Sequence, residues 1–103
     1  MARATYEDLA LIIVTSNEGK PRNKKYIVCP PSATEPDEAL TVYPPTSYRH
    51  DLGIDIYLDG NTAELWQDGY KIRKLKSIQD ANAVANAIIE EIEKTEKIFL
   101  EEQ

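Results

Sequence analysis

The segment Tyr43–Asp51 gathers more chemistry-bearing side chains than any other stretch of the 103-residue chain. It holds the single histidine, His50, between Arg49 and Asp51, with Tyr43 and Tyr48 close by. Histidine changes charge near neutral pH, so His50 is the candidate general base. A base needs a second group to orient its ring, and Asp51 does not qualify from sequence alone, because adjacent residues rarely point at each other. An ordinary loop histidine gives the same pattern. Cys29 is the only thiol. As a nucleophile it would need His50, whereas a strand cysteine between Val28 and Pro30 is expected to be a small buried apolar group.

Other chemistries lack their motifs. One Cys and one His cannot complete a four-ligand structural zinc site. There is no EF-hand spacing, no phosphate-cradling glycine loop, no Gly-x-Ser-x-Gly and no His-Glu-x-x-His. The sequence offers no catalytic constellation, no metal site and no cofactor motif. That favours a non-enzymatic protein, with a small enzyme using His50 kept as an alternative.

Two basic clusters could instead meet phosphate. Lys20, Arg22, Lys24 and Lys25 form one, and Lys71, Arg73, Lys74 and Lys76 the other. On neighbouring strands they would make one patch, with Tyr26, Trp66 and Tyr70 available to stack on bases. The overall charge of −6 and the sequence pI of about 4.7 oppose long-range attraction to nucleic acid. Alternating lysines also protect an edge strand from pairing with another chain.

The elements that position these residues follow from periodicity. Ile54-Asp55-Ile56-Tyr57-Leu58 alternates as a half-buried strand does. Asp59-Gly60-Asn61 leads into Thr62–Trp66, and Asp68-Gly69 leads into Tyr70–Leu75. Asp-Gly between strand-like runs is a strong hairpin signal, so residues 54–75 read as a three-stranded meander. Ser77, with Asp80 three residues on, reads as the N-cap of a helix over about 78–100. Ile78, Ala81, Ala85, Ile88, Ile92 and Phe99 make its apolar stripe, interrupted only by Thr95. The same stripe fits a heptad, so the helix could pair with a second copy of itself.

Upstream, Thr5–Asp8 can cap a helix, but Leu9–Thr15 is a dense β-branched run, so a short helical start and then a strand are expected. Lys24–Cys29 reads as another strand, and the two would extend the sheet to about five strands. Five of the six prolines fall within residues 30–51, which read as a long surface loop, with Ala39–Tyr43 a short edge strand at most. The expected fold is α+β in one domain over 1–103: an antiparallel sheet of about five strands and one long C-terminal helix.

Most of the negative charge lies past residue 77, where Asp80 and six glutamates face only Lys94 and Lys97. A single cysteine and no apolar run long enough for a leader or a membrane span suggest a cytoplasmic protein. The expected function is a protein-interaction module: an adaptor, an assembly or regulatory subunit, or an acidic inhibitor. Its partner would be a protein, one with basic character if the helix makes the contact. The candidate contacts are Tyr43, Tyr48, Arg49 and His50 in the loop and Glu90, Glu93, Glu96 and Phe99 on the helix. The alternative is nucleic-acid binding through Lys24, Lys25, Lys71, Arg73 and Lys74.

Overall fold

The computed structural model of the chain describes residues 3–31, 39–45 and 50–101. Helix α1 (Tyr6–Ser16) is followed by strands β1 (Ile27–Cys29), β2 (Leu40–Tyr43), β3 (Ile54–Asp59), β4 (Thr62–Gln67) and β5 (Tyr70–Leu75), and then by helix α2 (Ala81–Glu101). Short 3-10 turns occupy Arg22–Lys24 and His50–Leu52. The strands lie in sequence order in one sheet, each antiparallel to its neighbour. The fold is therefore α+β, with a five-stranded antiparallel meander and a long C-terminal helix.

The two tight turns have different chemistry. Asp68 and Gly69 both have positive φ, 51° and 81°, as a two-residue type I′ loop requires. In the β3–β4 turn, Asp59 still pairs with Thr62, so the loop is Gly60-Asn61, and only Gly60 needs positive φ. Half of β5 is charged and it still folds, because a bulge adjusts its facing. Leu65 pairs with Arg73 and Trp66 with Lys71, which leaves Ile72 extra. Arg73 and Leu75 then face the helices while Lys71 and Lys74 face away.

One face of the sheet supplies Leu40, Val42, Ile54, Ile56, Ala63 and Leu65 to the core. Leu9 and Ile13 of α1 meet them, as do Val84, Ala85, Ile88 and Ile92 of α2. Each fully buried Leu or Ile contributes about 1.5–3 kcal/mol in transfer free energy, so this face is the main source of cohesion.

Three expectations are corrected. Leu9–Thr15 is helical throughout, not a strand. Thr5 and Asp8 close a complete capping box, Thr5 Oγ1 accepting from Asp8 N at 3.1 Å and Asp8 Oδ2 from Thr5 N at 3.0 Å. Leu9 and Ile13, one helical turn apart, then bury together, which outweighs the β-branched composition. The fifth strand comes instead from Leu40–Tyr43, which sits between β1 and β3 and not at an edge. Its alternating Leu40 and Val42 are fully buried, despite the surrounding prolines. The third correction is the start of α2. Asp80 is the capping residue, its Oδ1 accepting from Asn82 N at 3.0 Å and Ala83 N at 3.3 Å. Ser77 makes only a local turn with Gln79 N, and Ile78 is buried ahead of the helix, its carbonyl accepting from Ala4 N at 2.8 Å.

Candidate functional site

The helices cover one face of the sheet, and the alternation that buries that face projects a second set of side chains the other way. On β3 these are Asp55, Tyr57 and Asp59, and on β4 they are Thr62, Glu64 and Trp66. Register places Trp66 beside Asp55 and Glu64 beside Tyr57, so aromatic rings and carboxylates alternate across the pair. Tyr57 and Trp66 are diagonal neighbours. Their ring centroids are 6.3 Å apart and their planes 81° apart, an edge-to-face contact. The Trp66 indole N–H donates to Glu64 Oε1 at 3.0 Å, and Lys71 Nζ reaches Glu64 Oε2 at 3.5 Å. The Trp66 hydrogen bond, with help from Lys71 and Lys74, holds the Glu64 carboxyl below the usual carboxylate range, so it stays charged. Tyr57, Leu58, Asp59, Glu64 and Trp66 line a concavity of about 400 Å³, and Tyr57 keeps 40% of its surface exposed. Among the described residues, neither helix packs on this face.

The face continues onto β2 and β1. Thr41 Oγ1 donates to Asp55 Oδ1 at 2.7 Å. The Tyr43 ring lies against Gly53, so close that a Cβ there would fall 2.7 Å from its Cε1. Burial, with the nearby Cys29 and Asp55, raises the Tyr43 hydroxyl above its ordinary pKa. Cys29 is exposed at the end of this row, opposite Thr41, and not buried as expected, because Val28 takes the core-facing position on β1. Rings, carboxylates and hydroxyls of this kind can bind.

The helix acids have neighbours within the chain. Glu90 and Glu91 both accept from Arg73 Nη1, at 3.0 and 3.2 Å, which clamps α2 to β5. Glu91 also pairs with Lys94 at 3.2 Å. Glu93 accepts from the Tyr26 hydroxyl at 3.2 Å. Burial, Glu93 and Glu96 push the Tyr26 hydroxyl up to about 12. Glu93 and Glu96 face Lys20 and Lys24 across a cleft of about 430 Å³, whose wall includes Tyr26. Glu90 and Glu93 are exposed, so the helix keeps an acidic outer side. Ile88, Ile92 and Thr95 of the heptad-compatible stripe are buried against the chain's own core. Pairing with a second copy would need a different side of α2.

The two basic clusters do not meet. Arg22–Lys24 form a 3-10 turn before β1, while Lys71, Arg73 and Lys74 lie on β5 at the opposite edge of the sheet. Lys24 and Lys25 precede the strand they were expected to begin, because β1 starts only at Ile27. Asn17 holds that approach in place, its amide donating to Tyr26 O at 3.0 Å while its Oδ1 accepts from Tyr26 N at 2.8 Å. Arg73 faces the helix and Lys71 is tied to Glu64, so Lys74 and Lys76 are the exposed cations of that cluster with no ion pair within 4 Å among the described residues. Tyr48 and Arg49 lie outside the described residues. His50 begins the second 3-10 turn and Phe99 lies in α2, but the side chains of both are also outside what is described. No group of three His, Cys, Asp or Glu side chains is placed to hold a metal ion, and no helix is long and apolar enough to cross a membrane, both among the described residues.

Trp66 already stands out in the sequence as a stacking residue, but its pairing with Tyr57, Asp59 and Glu64 on one outer face does not. The signal was present: in Ile54–Asp59 and Thr62–Gln67 the positions between the core residues are Tyr57, Asp59, Glu64 and Trp66, and an interior apolar alternation fixes where they point. Which of them become diagonal neighbours depends on register, and that depends on the turn. No family model matches the chain, and neither a curated protein nor a solved structure matches it.

Proposed function

We propose that this chain is a non-enzymatic binding module that takes a protein partner on the open face of its sheet. The observation that carries the reading is the Tyr57–Trp66 pair, half-exposed in a concavity on the face that the helices leave bare. Aromatic side chains of this kind anchor protein interfaces, because they bury a large area at little cost in rotamer entropy. The surface differs from the one that charge alone suggests. Much of the acid on α2 is engaged by Arg73, Lys94 and Tyr26.

Nucleic acid fits the same face less well. Stacking platforms work with a positive surface around them, and here Asp55, Asp59 and Glu64 outnumber Lys71 and Lys74. The exposed thiol of Cys29 suits a reducing compartment, which supports a cytoplasmic setting.

Capture of a partner by the tagged chain, with nuclease present, tests the reading through three forms. The wild type and a Glu90→Lys, Glu93→Lys, Glu96→Lys variant should retain the same protein, and a Tyr57→Ser, Trp66→Ser variant should lose it. Loss only in the helix variant would move the interface to α2. Capture that vanishes with nuclease would favour nucleic acid.

A further inference from the structure

The open face carries a specific chemistry. Perpendicular rings leave a right-angled corner at Tyr57 and Trp66, and two carboxylates, Asp59 and Glu64, share the same concavity. A π face attracts a cation, and a planar guanidinium both stacks on it and presents its N–H groups in a fork to carboxylate oxygens. A neutral apolar group would bury Asp59 without a counter-charge and take the Glu64–Lys71 pair out of water, which is costly. An anion would be repelled. We infer that the Tyr57–Trp66 corner binds the guanidinium of an arginine carried by an extended segment of a partner protein. This rests on the open face being the binding surface and adds what it recognises.

Glu64 already has neighbours, and they fit the inference. The Trp66 indole occupies Oε1 and so fixes both the ring and the carboxylate. Lys71 sits at 3.5 Å from Oε2, exposed and at the long end of an ion pair. Such a surface contact is weak, and an incoming guanidinium can displace it, since an ionised carboxylate has several acceptor sites. Lys71 is thus a built-in competitor for the site. A nucleic-acid surface would need Lys71 as an attractive contact, so the two readings predict opposite signs for its removal.

The test uses the full chain and a nine-residue peptide of serine and threonine with one central arginine, compared with the same peptide carrying citrulline, which keeps the shape and loses the charge. Trp66 is the only tryptophan, so a single indole N–H resonance reports the site. The arginine peptide should shift that resonance and the amides of Tyr57, Asp59 and Glu64. It should bind about tenfold more tightly than the citrulline peptide, the combined scale of one exposed cation–π contact and one or two exposed ion pairs. Asp59→Asn with Glu64→Gln should cut the preference to about two- to fivefold, the share of the cation–π contact, and Lys71→Met should tighten arginine binding about two- to fivefold. Equal affinity for the two peptides, or weaker arginine binding in Lys71→Met, overturns the guanidinium assignment. So do shifts confined to Glu90 and Glu93, or an unmoved indole at about 10 mM peptide. A partner whose capture depends on Trp66 while the arginine preference fails would leave the open face standing. Capture indifferent to Trp66 would overturn both.

Discussion

Thr95 is the one polar residue in the apolar stripe of α2, and its hydroxyl ties the helix to the sheet. It is 9% exposed and its Oγ1 accepts from Gln67 Nε2 at 2.8 Å, a hydrogen bond that joins the helix to β4. The second donor of that amide reaches Leu52 O at 3.4 Å, near the limit of a useful contact. Thr95→Val keeps the β-branched shape, and the helix propensities of the two residues are close, so the change isolates the hydroxyl. The lost bond costs about 0.5–1.5 kcal/mol, and the half-satisfied Gln67 amide about 1 kcal/mol more. The added apolar surface returns about 0.8 kcal/mol at most. The expected net loss is about 1 kcal/mol, or roughly 4–8 °C in melting temperature for a domain of this size. Urea unfolding with an unchanged slope is the assay. Gln67→Leu alone should also destabilise, and the double variant should recover most of the loss, because an apolar pair replaces a polar one. A Thr95→Val variant as stable as wild type, or two costs that simply add, would refute the reasoning.

Arg73→Met should cost about 1 kcal/mol, since it leaves the largely buried Glu91 with only Lys94, and the cost should shrink at high salt; a cost unchanged by salt would assign the effect to packing. Tyr26 has its pKa raised in the folded state, so the stability it contributes is complete below pH 10 and should fall as pH rises through about 12. Absorbance titration should find a late-ionising tyrosine that is absent from a Tyr26→Phe variant, and that variant should lose the alkaline dependence. Gly53→Ala should destabilise by about 1–3 kcal/mol, because the new methyl would strike the Tyr43 ring; an unchanged urea midpoint would show that the ring can move aside at no cost.

The architecture was legible where local chemistry and periodicity agreed. Asp68-Gly69 could only be a primed turn, the alternation of Ile54 to Leu58 fixed which face meets the core, and Ala85, Ile88 and Ile92 declared the buried side of α2. It was illegible where tertiary contacts outweighed composition. Leu9–Thr15 has a strand's residues, yet the Thr5/Asp8 box and the burial of Leu9 with Ile13 make it a helix. Leu40 and Val42 carry too short an alternation to announce an interior strand among prolines. The helix start shifted from Ser77 to Asp80 because both residues can cap and only packing of Ile78 separates them. Charge runs pointed to α2 as a contact, but a sequence does not reveal that a bulge at Ile72 turns Arg73 toward Glu90 and Glu91. The Tyr57–Trp66 corner needed register as well as alternation, since the two residues lie nine positions apart and meet only diagonally.

The most direct test of the open face uses Cys29. It is the only thiol, it is exposed, and it lies on the row that runs through Thr41 and Asp55 to Trp66, about 15 Å away at the usual strand spacing. A partner of ordinary interface size seated on Trp66 would cover that distance. The measurement is the rate of Cys29 alkylation in the free chain and in the captured complex, with acylation of Lys94 and Lys97 on α2 followed in the same samples. Slowed alkylation of Cys29 with unchanged lysine acylation is the predicted result. Alkylation at the free rate, with Lys94 and Lys97 protected, would place the partner on the helix and contradict the account.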